Sequence, residues 1–302
     1  MSHYNCIIIT GTTASGKTKL ACQLAYEMDA EIISVDSRQV YRGLNIGAGK
    51  DLDEYVIEGT PIPYHLIDIA DIHENFHLQK FIEHFIEAYQ DIVSRNKTAI
   101  ICGGTGLYLD AILKQHLYAA VPIDENLRAK LIALPHDELL GLFNTYKNEF
   151  SKLADTSSSK RLIRAIEICE YLKHHTLPQT HFPELHPLIY CIESDREERR
   201  KRISERLKHR LENGMIEEVD TLIKSGYSAD RLQFLGLEYK YVTLYILGKI
   251  SYEGMFSQLE TSIHQFAKRQ MTWFRKMERE GHHLHWIAPD YPVQNIIETF
   301  KE

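Results

Sequence analysis

The sequence predicts an α/β protein with a parallel sheet core and an α-helical insertion. Three observations carry this. Residues 11–18 (GTTASGKT) fit the phosphate-loop pattern G-x-x-x-x-G-K-[ST] through Gly11, Gly16, Lys17 and Thr18, between an apolar run at 6–9 and a helix-compatible segment at 19–28. Further short apolar runs alternate with helical stretches, the order that builds a doubly wound parallel sheet. Beyond about residue 116 the alternation stops, and 124–175 reads as helices alone. The core is therefore P-loop NTPase-like, and the expected divisions are 1–117, a helical insertion at 118–186, and a second core part at 187–302.

Each element has its own signal. Residues 6–9 are a strand rich in β-branched isoleucine, and 31–35 (EIISV) a second that ends at Asp36. Residues 43–64, with their Gly, Pro and Asp, read as a loop, and 65–69 (HLIDI) as a third strand. In the helix expected over 78–94, Phe81, Phe85 and Tyr89 form one apolar stripe. A fourth strand at 98–102 runs into Gly103-Gly104-Thr105-Gly106 and a helix from Leu107. Strand 188–193 returns to the sheet; helices follow at 196–213, 215–224, 237–247 and 252–279, then a short strand at 285–287. Ligands bind at the carboxyl ends of such strands. Loops 11–18, 36–43 and 103–106 all lie there, which predicts one shared site.

Composition narrows the classes. Of the 302 residues, 44% are hydrophobic and 25% charged, ordinary for a soluble globular chain. The net charge of −7 gives no global argument for nucleic acid, so RNA contacts would come from local basic patches. Cys6, Cys22, Cys102, Cys169 and Cys191 include no C-x-x-C pair, which argues against disulfides and thiolate zinc. The chain enters a strand at once, without a signal peptide, and no apolar run approaches the roughly 18 residues of a membrane span. A cytoplasmic protein is expected.

The chemistry concentrates in a few places. The amides of Gly11, Thr12, Thr13, Ala14, Ser15 and Gly16, with the following helix N-terminus, would cradle a di- or triphosphate. Lys17 would touch its outer oxygens, and the Thr18 hydroxyl would hold Mg²⁺. Asp36, at a strand tip facing this loop, suits a general base or a water-positioning group; a turn aspartate is the structural alternative. Arg199, Arg202, Arg206 and Arg210 recur at helical spacing, as a phosphate-contacting stripe or a solvated face. Lys160, Arg161 and Arg164 form a second basic cluster; 267–275 forms a third, where Trp273 and Phe274 suit either RNA or core. His73-Glu74-Asn75-Phe76-His77 matches H-E-x-x-H, but it falls at a helix entrance rather than within a helix, which argues against zinc. No acidic residue closes a long apolar strand in the usual ATPase manner, which leaves a small-molecule kinase or a non-hydrolysing transferase.

Taken together, the blocks at 11–18, 36–47 (DSRQVYRGLNIG), 65–69, 103–109 (GGTGLYL), 161–167 (RLIRAIE), 196–206 and 267–275 (AKRQMTWFR) resemble the tRNA dimethylallyltransferases, or tRNA isopentenyltransferases. The resemblance implies a P-loop fold that takes dimethylallyl diphosphate rather than ATP. It implies transfer of the prenyl group to N6 of adenosine 37, beside the anticodon of certain tRNAs. It makes Asp36 the base on that amine and Arg206 a diphosphate ligand, with Lys17 and Thr18 completing the catalytic set. It places Asp36, Ser37, Arg38, Gln39, Thr105, Arg128, Lys160, Arg161, Leu162, Ile163 and Arg164 on the tRNA. A monomer is expected, with neither DNA nor membrane as partner. Thr12 replaces the family's usual proline, Ser157-Ser158 its Asn-Asp, and Gly236-Leu237-Glu238 stands where Gly-Tyr is usual. Rival readings are a P-loop small-molecule kinase, which must bind ATP with Mg²⁺, and an isopentenyltransferase acting on free adenine nucleotide. The latter would not need the clusters at 160–164 and 267–275.

Overall fold

The computed structural model describes residues 3–302. The chain forms two compact units: Met1–Leu113 with Pro183–Glu302, and Lys114–Phe182. Each boundary falls a few residues before the 118–186 limits read from the sequence.

In the larger unit the elements run β1 (Cys6–Gly11), α1 (Lys17–Met28), β2 (Glu31–Ser34), a hairpin of β3 (Val56–Ile57) and β4 (Thr60–Pro61), β5 (Tyr64–His65), α2 (Leu78–Ser94), β6 (Ala99–Gly103) and α3 (Gly106–Leu113). Six strands form one sheet in the order β5-β2-β6-β1, followed by the later strands β7 (Pro187–Ile192) and β8 (Leu284–Ile287), and every pairing within it is parallel. Ile8 faces Ile101 on one neighbour and Ile189 on the other. A parallel sheet covered on both faces needs apolar residues in both directions, and Cys6, Ile7, Ile8 and Ile9 are all fully buried. Ile7 and Ile9 share a core with Leu20 and Leu24 of α1 and with Ile296 and Ile297 of a terminal helix, Val293–Lys301.

The expected third strand is cut short. Leu66 and Asp68 adopt φ of 64° and 57°, a conformation incompatible with a ladder, so pairing stops at His65. Asp68 instead forms a 2.5 Å ion pair with the buried Lys50. The hairpin, the terminal helix and a short helix at Ala229–Phe234 had no expectation.

The smaller unit holds α4 (Glu125–Ile132), α5 (His136–Phe143), α6 (Glu149–Leu153) and α7 (Ser159–His174) around Leu131, Leu139, Phe143, Leu162 and Ile166. Past it, the larger unit adds β7, α8 (Arg196–Glu212), α9 (Met215–Lys224), α10 (Ala229–Phe234), α11 (Leu237–Ile246), α12 (Tyr252–Arg279), β8 and α13 (Val293–Lys301).

Several residues of the smaller unit that were expected at the tRNA have internal partners. Leu162 and Ile163 are core side chains, turned inward from the face that carries Lys160 and Arg161. Arg128 makes two hydrogen bonds of 2.7 and 2.6 Å to the fully buried Glu167 carboxylate. Arg164 donates to the carbonyls of Val121 (2.6 Å) and Tyr118 (3.3 Å) and approaches the same glutamate. Arg164→Ala is therefore expected to destabilise this unit by about 1–3 kcal/mol, because buried acceptors lose their donor. Thermal unfolding of the full chain checks this; an unchanged midpoint would make Arg164 a surface residue after all.

Candidate active site

The phosphate loop is shaped by its glycines. Gly11 has φ of 154°, and a Cβ there would lie 2.8 Å from Ser15 Oγ and 3.0 Å from the Ile192 carbonyl. Gly16, at φ 87°, turns the chain into α1 in the left-handed region that favours glycine. The first turn of α1 holds Lys17 and Thr18 and no acidic residue, so the positive end of the helix is open to an anion. Lys17 Nζ donates to the Thr12 carbonyl at 3.3 Å. Burial, above all, lowers the pKa of its ammonium.

Arg206 reaches the loop from α8, hydrogen-bonding Thr13 Oγ1. Its pKa is pushed down to about 10, first by burial and then by the neighbouring charge of Arg210. The basic stripe read from the sequence thus splits by partner. Arg206 and Arg210 both line the cavity, Arg210 pairing there with Asp51 at 2.9 Å, while Arg202 bonds Glu198 on its own helix and Arg199 donates to the Ser194 carbonyl.

Asp36 follows β2. Its Oδ1 accepts the backbone N–H groups of Arg38 (2.8 Å) and Gln39 (3.3 Å), so the residue does shape a turn while also lining the cavity. Thr105 Oγ1 accepts the Ser37 N–H at 3.3 Å, tying this turn to the loop after β6. Gln39 is buried, with both ends of its amide hydrogen-bonded: Nε2 donates to the Gly49 carbonyl and Oε1 accepts from Ser34. The side chain braces this turn against Gly49 and also lines the cavity.

One cavity of about 400 Å³ is lined by Thr13, Lys17, Thr18, Asp36, Ser37, Arg38, Gln39, Thr105 and Arg206. The structure therefore brings together the three loops expected to converge. Lys160 and Arg161 are exposed on the smaller unit, where Arg161 pairs with Asp155 at 2.8 Å. Phe274 is fully buried in the core, and the half-buried Trp273 packs against Gly106, where a Cβ would overlap its ring. At the H-E-x-x-H stretch, Glu74 Oε1 accepts the Asp71 N–H and its other oxygen pairs with Lys80, while His73 packs on Tyr227. Among the described residues no group of three His, Cys, Asp or Glu could hold a metal ion.

Several site residues escaped the sequence reading. Glu218 accepts the backbone N–H groups of Asn45, Ile46 and Gly47 and the Tyr239 hydroxyl, and Tyr239 in turn accepts the Ala48 N–H. These bonds fix loop 45–49, part of the cavity wall. Glu238 lines the cavity, and burial raises its pKa. Gln270 bridges two of the converging loops. Nothing local in the sequence pairs residues so far apart.

Cations, loop amides and a carboxylate after a strand thus line one cavity. The profile of the family described as IPP transferase matches residues 39–277. A tRNA dimethylallyltransferase 2 of Phocaeicola vulgatus is 49% identical over 99% of this chain and 97% of its own. One of Porphyromonas gingivalis is 50% identical over 97% of both chains. The solved structure of a tRNA isopentenylpyrophosphate transferase from Bacillus halodurans superposes with TM-score 0.69 at 27% identity, covering 99% of this chain and 97% of that one. A eukaryotic dimethylallyltransferase acting on tRNA shares the fold, with TM-score 0.78 at 20% identity over 97% of this chain and 77% of that one. The chain belongs to the tRNA dimethylallyltransferase family.

Proposed function

We propose that this protein transfers the dimethylallyl group from dimethylallyl diphosphate to N6 of adenosine 37 in the anticodon loop of tRNA. The observation that carries the reading is the single cavity that Asp36 lines together with Lys17, Thr18 and Arg206. The allylic C–O bond breaks, the N6–C bond forms, the amine proton passes to Asp36, and diphosphate departs. Negative charge grows on the departing diphosphate, where Lys17, Arg206 and the loop amides stabilise it. The adenine amine is a weak nucleophile, so Asp36 orients it as well as taking its proton. The base must leave its stack to enter.

Mg²⁺ fits as a substrate-bound ion. With no three-ligand protein group available among the described residues, the Thr18 hydroxyl would hold it together with diphosphate oxygens. When bound it neutralises part of the diphosphate charge. No helix among the described residues is long and apolar enough to cross a membrane. We place the protein in the cytoplasm, with its tRNA, as a monomer.

Incubation with labelled dimethylallyl diphosphate and total tRNA, followed by nucleoside analysis, tests the reading. Robust ATP turnover without prenyl transfer would favour the kinase, and labelling of free AMP or ADP but not tRNA the free-nucleotide enzyme. Lys160 and Arg161 are the exposed cations of the insertion cluster. Lys160→Ala with Arg161→Ala is expected to weaken tRNA binding and to lower the salt slope by about one per lost phosphate contact. Donor KM should stay constant. An unchanged slope and affinity would remove the pair from the RNA surface.

A further inference from the structure

Gln270 sits on α12, only 6% exposed, with both ends of its amide engaged. Oε1 accepts the Thr13 N–H of the phosphate loop at 2.8 Å, and Nε2 donates to the Gly104 carbonyl at 2.9 Å. The donor on one side and the acceptor on the other fix the amide's orientation. The fit is close: a Cβ on Gly104 would come within 2.4 Å of Nε2. Beyond Gly104, the Thr105 N–H donates to the Val35 carbonyl and its hydroxyl receives the Ser37 N–H, next to Asp36. An unbroken run of bonds therefore joins the phosphate loop to the turn that carries the carboxylate, and Gln270 is the side chain that spans from the phosphate loop to the loop after β6.

We propose that Gln270 is a positioning residue that holds the diphosphate loop and the Asp36 turn at their working separation. The inference rests on the prenyl-transfer reading of the cavity. The reacting carbon must meet the amine at near-attack distance, and a misplacement of about 1 Å can cost about 10²-fold in rate. A side chain that merely filled space could be replaced by an apolar residue of similar size; one that sets a distance through two bonds could not.

Two variants separate these roles. Gln270→Met keeps most of the volume and neither bond. Gln270→Glu keeps both bonds when its carboxyl is neutral, with the carbonyl oxygen accepting from Thr13 and the O–H donating to Gly104; ionised, it turns a second acceptor on the Gly104 carbonyl. Lys17 of α1 and Arg206 of α8 favour the ionised form of such a carboxyl. Burial itself opposes it, as does Asp36 at the far end of the bonded run, and Arg269 precedes it on α12. Single-turnover prenyl transfer is measured well below the thermal midpoint of each variant, together with KM for dimethylallyl diphosphate and for tRNA.

Gln270→Met is expected to lose about 10–10²-fold in kcat, with smaller changes in either KM. The Gln270→Glu rate, divided by the wild-type rate at the same pH, is expected to climb as pH falls from about 8 towards about 5. Wild-type kcat in Gln270→Met overturns the proposal, as does a loss confined to KM or to the midpoint. So does a Gln270→Glu ratio that does not rise as pH falls. If the wild-type protein itself prenylates no tRNA, it is the functional reading that fails.

Discussion

Asp36→Asn is expected to lower kcat about 10²–10⁴-fold, the usual contribution of a general base. Asparagine is the informative replacement. Oδ1 of Asp36 accepts the N–H groups of Arg38 and Gln39, and an amide oxygen can keep accepting them while the proton sink is gone. Asp36→Ala removes the turn contacts as well and is expected to add a stability loss of about 0.5–2 kcal/mol, by analogy with a lost side-chain cap. Donor affinity should change little in either variant, since the proposed diphosphate ligands are Lys17, Thr18 and Arg206. Thermal unfolding and single-turnover prenylation on one preparation separate the outcomes. Parent-rate transfer by folded Asp36→Asn would exclude Asp36 as the base.

Arg206→Met should show the second large effect, a fall in kcat/KM of about 10²–10³-fold, the scale of losing one preorganised donor to developing charge. Its stability should move the other way. Burial lowers the arginine pKa from 12.5 to about 10. The protonated form is therefore disfavoured by folding at every pH below about 10, and that penalty fades only as pH rises through this value. Removing the charge removes the penalty, so at neutral pH the ligand-free variant should melt at the parent temperature or above it, despite losing the bond to Thr13. Calorimetry checks this. Inorganic diphosphate with Mg²⁺ should raise the parent midpoint and leave the variant's nearly unmoved. A variant that melts early yet transfers normally per folded molecule would make Arg206 a structural residue.

What was legible in the sequence was local. Gly11, Gly16, Lys17 and Thr18 announce their loop because glycine conformation and helix polarity act over neighbouring residues. The buried strands announce themselves because a sheet covered on both faces needs runs such as Cys6–Ile9. What was not legible depends on residues far apart in the chain. The arginines of α8 share one spacing yet meet Thr13, Asp51, a carbonyl and a helical glutamate, and only the folded chain distinguishes them. Leu162 and Ile163 were drawn into an RNA-contacting block because that block was read as contiguous, whereas helical geometry turns them inward. His65 to Ile69 has strand composition throughout, but two left-handed residues end the ladder early.

The order of strands in the sheet has a consequence for biosynthesis. β1, made first, lies between β6 and β7, and the ladder along its β7 edge uses residues 187–192. While the ribosome makes the intervening Lys114–Phe182 unit, the strand that feeds the phosphate loop has one edge without its partner for on the order of ten seconds. During that time four helices with their own apolar core can emerge and fold. For that interval the β7-facing edge of β1 leaves its backbone N–H and C=O groups unpaired, the condition under which an edge strand can pair with another chain.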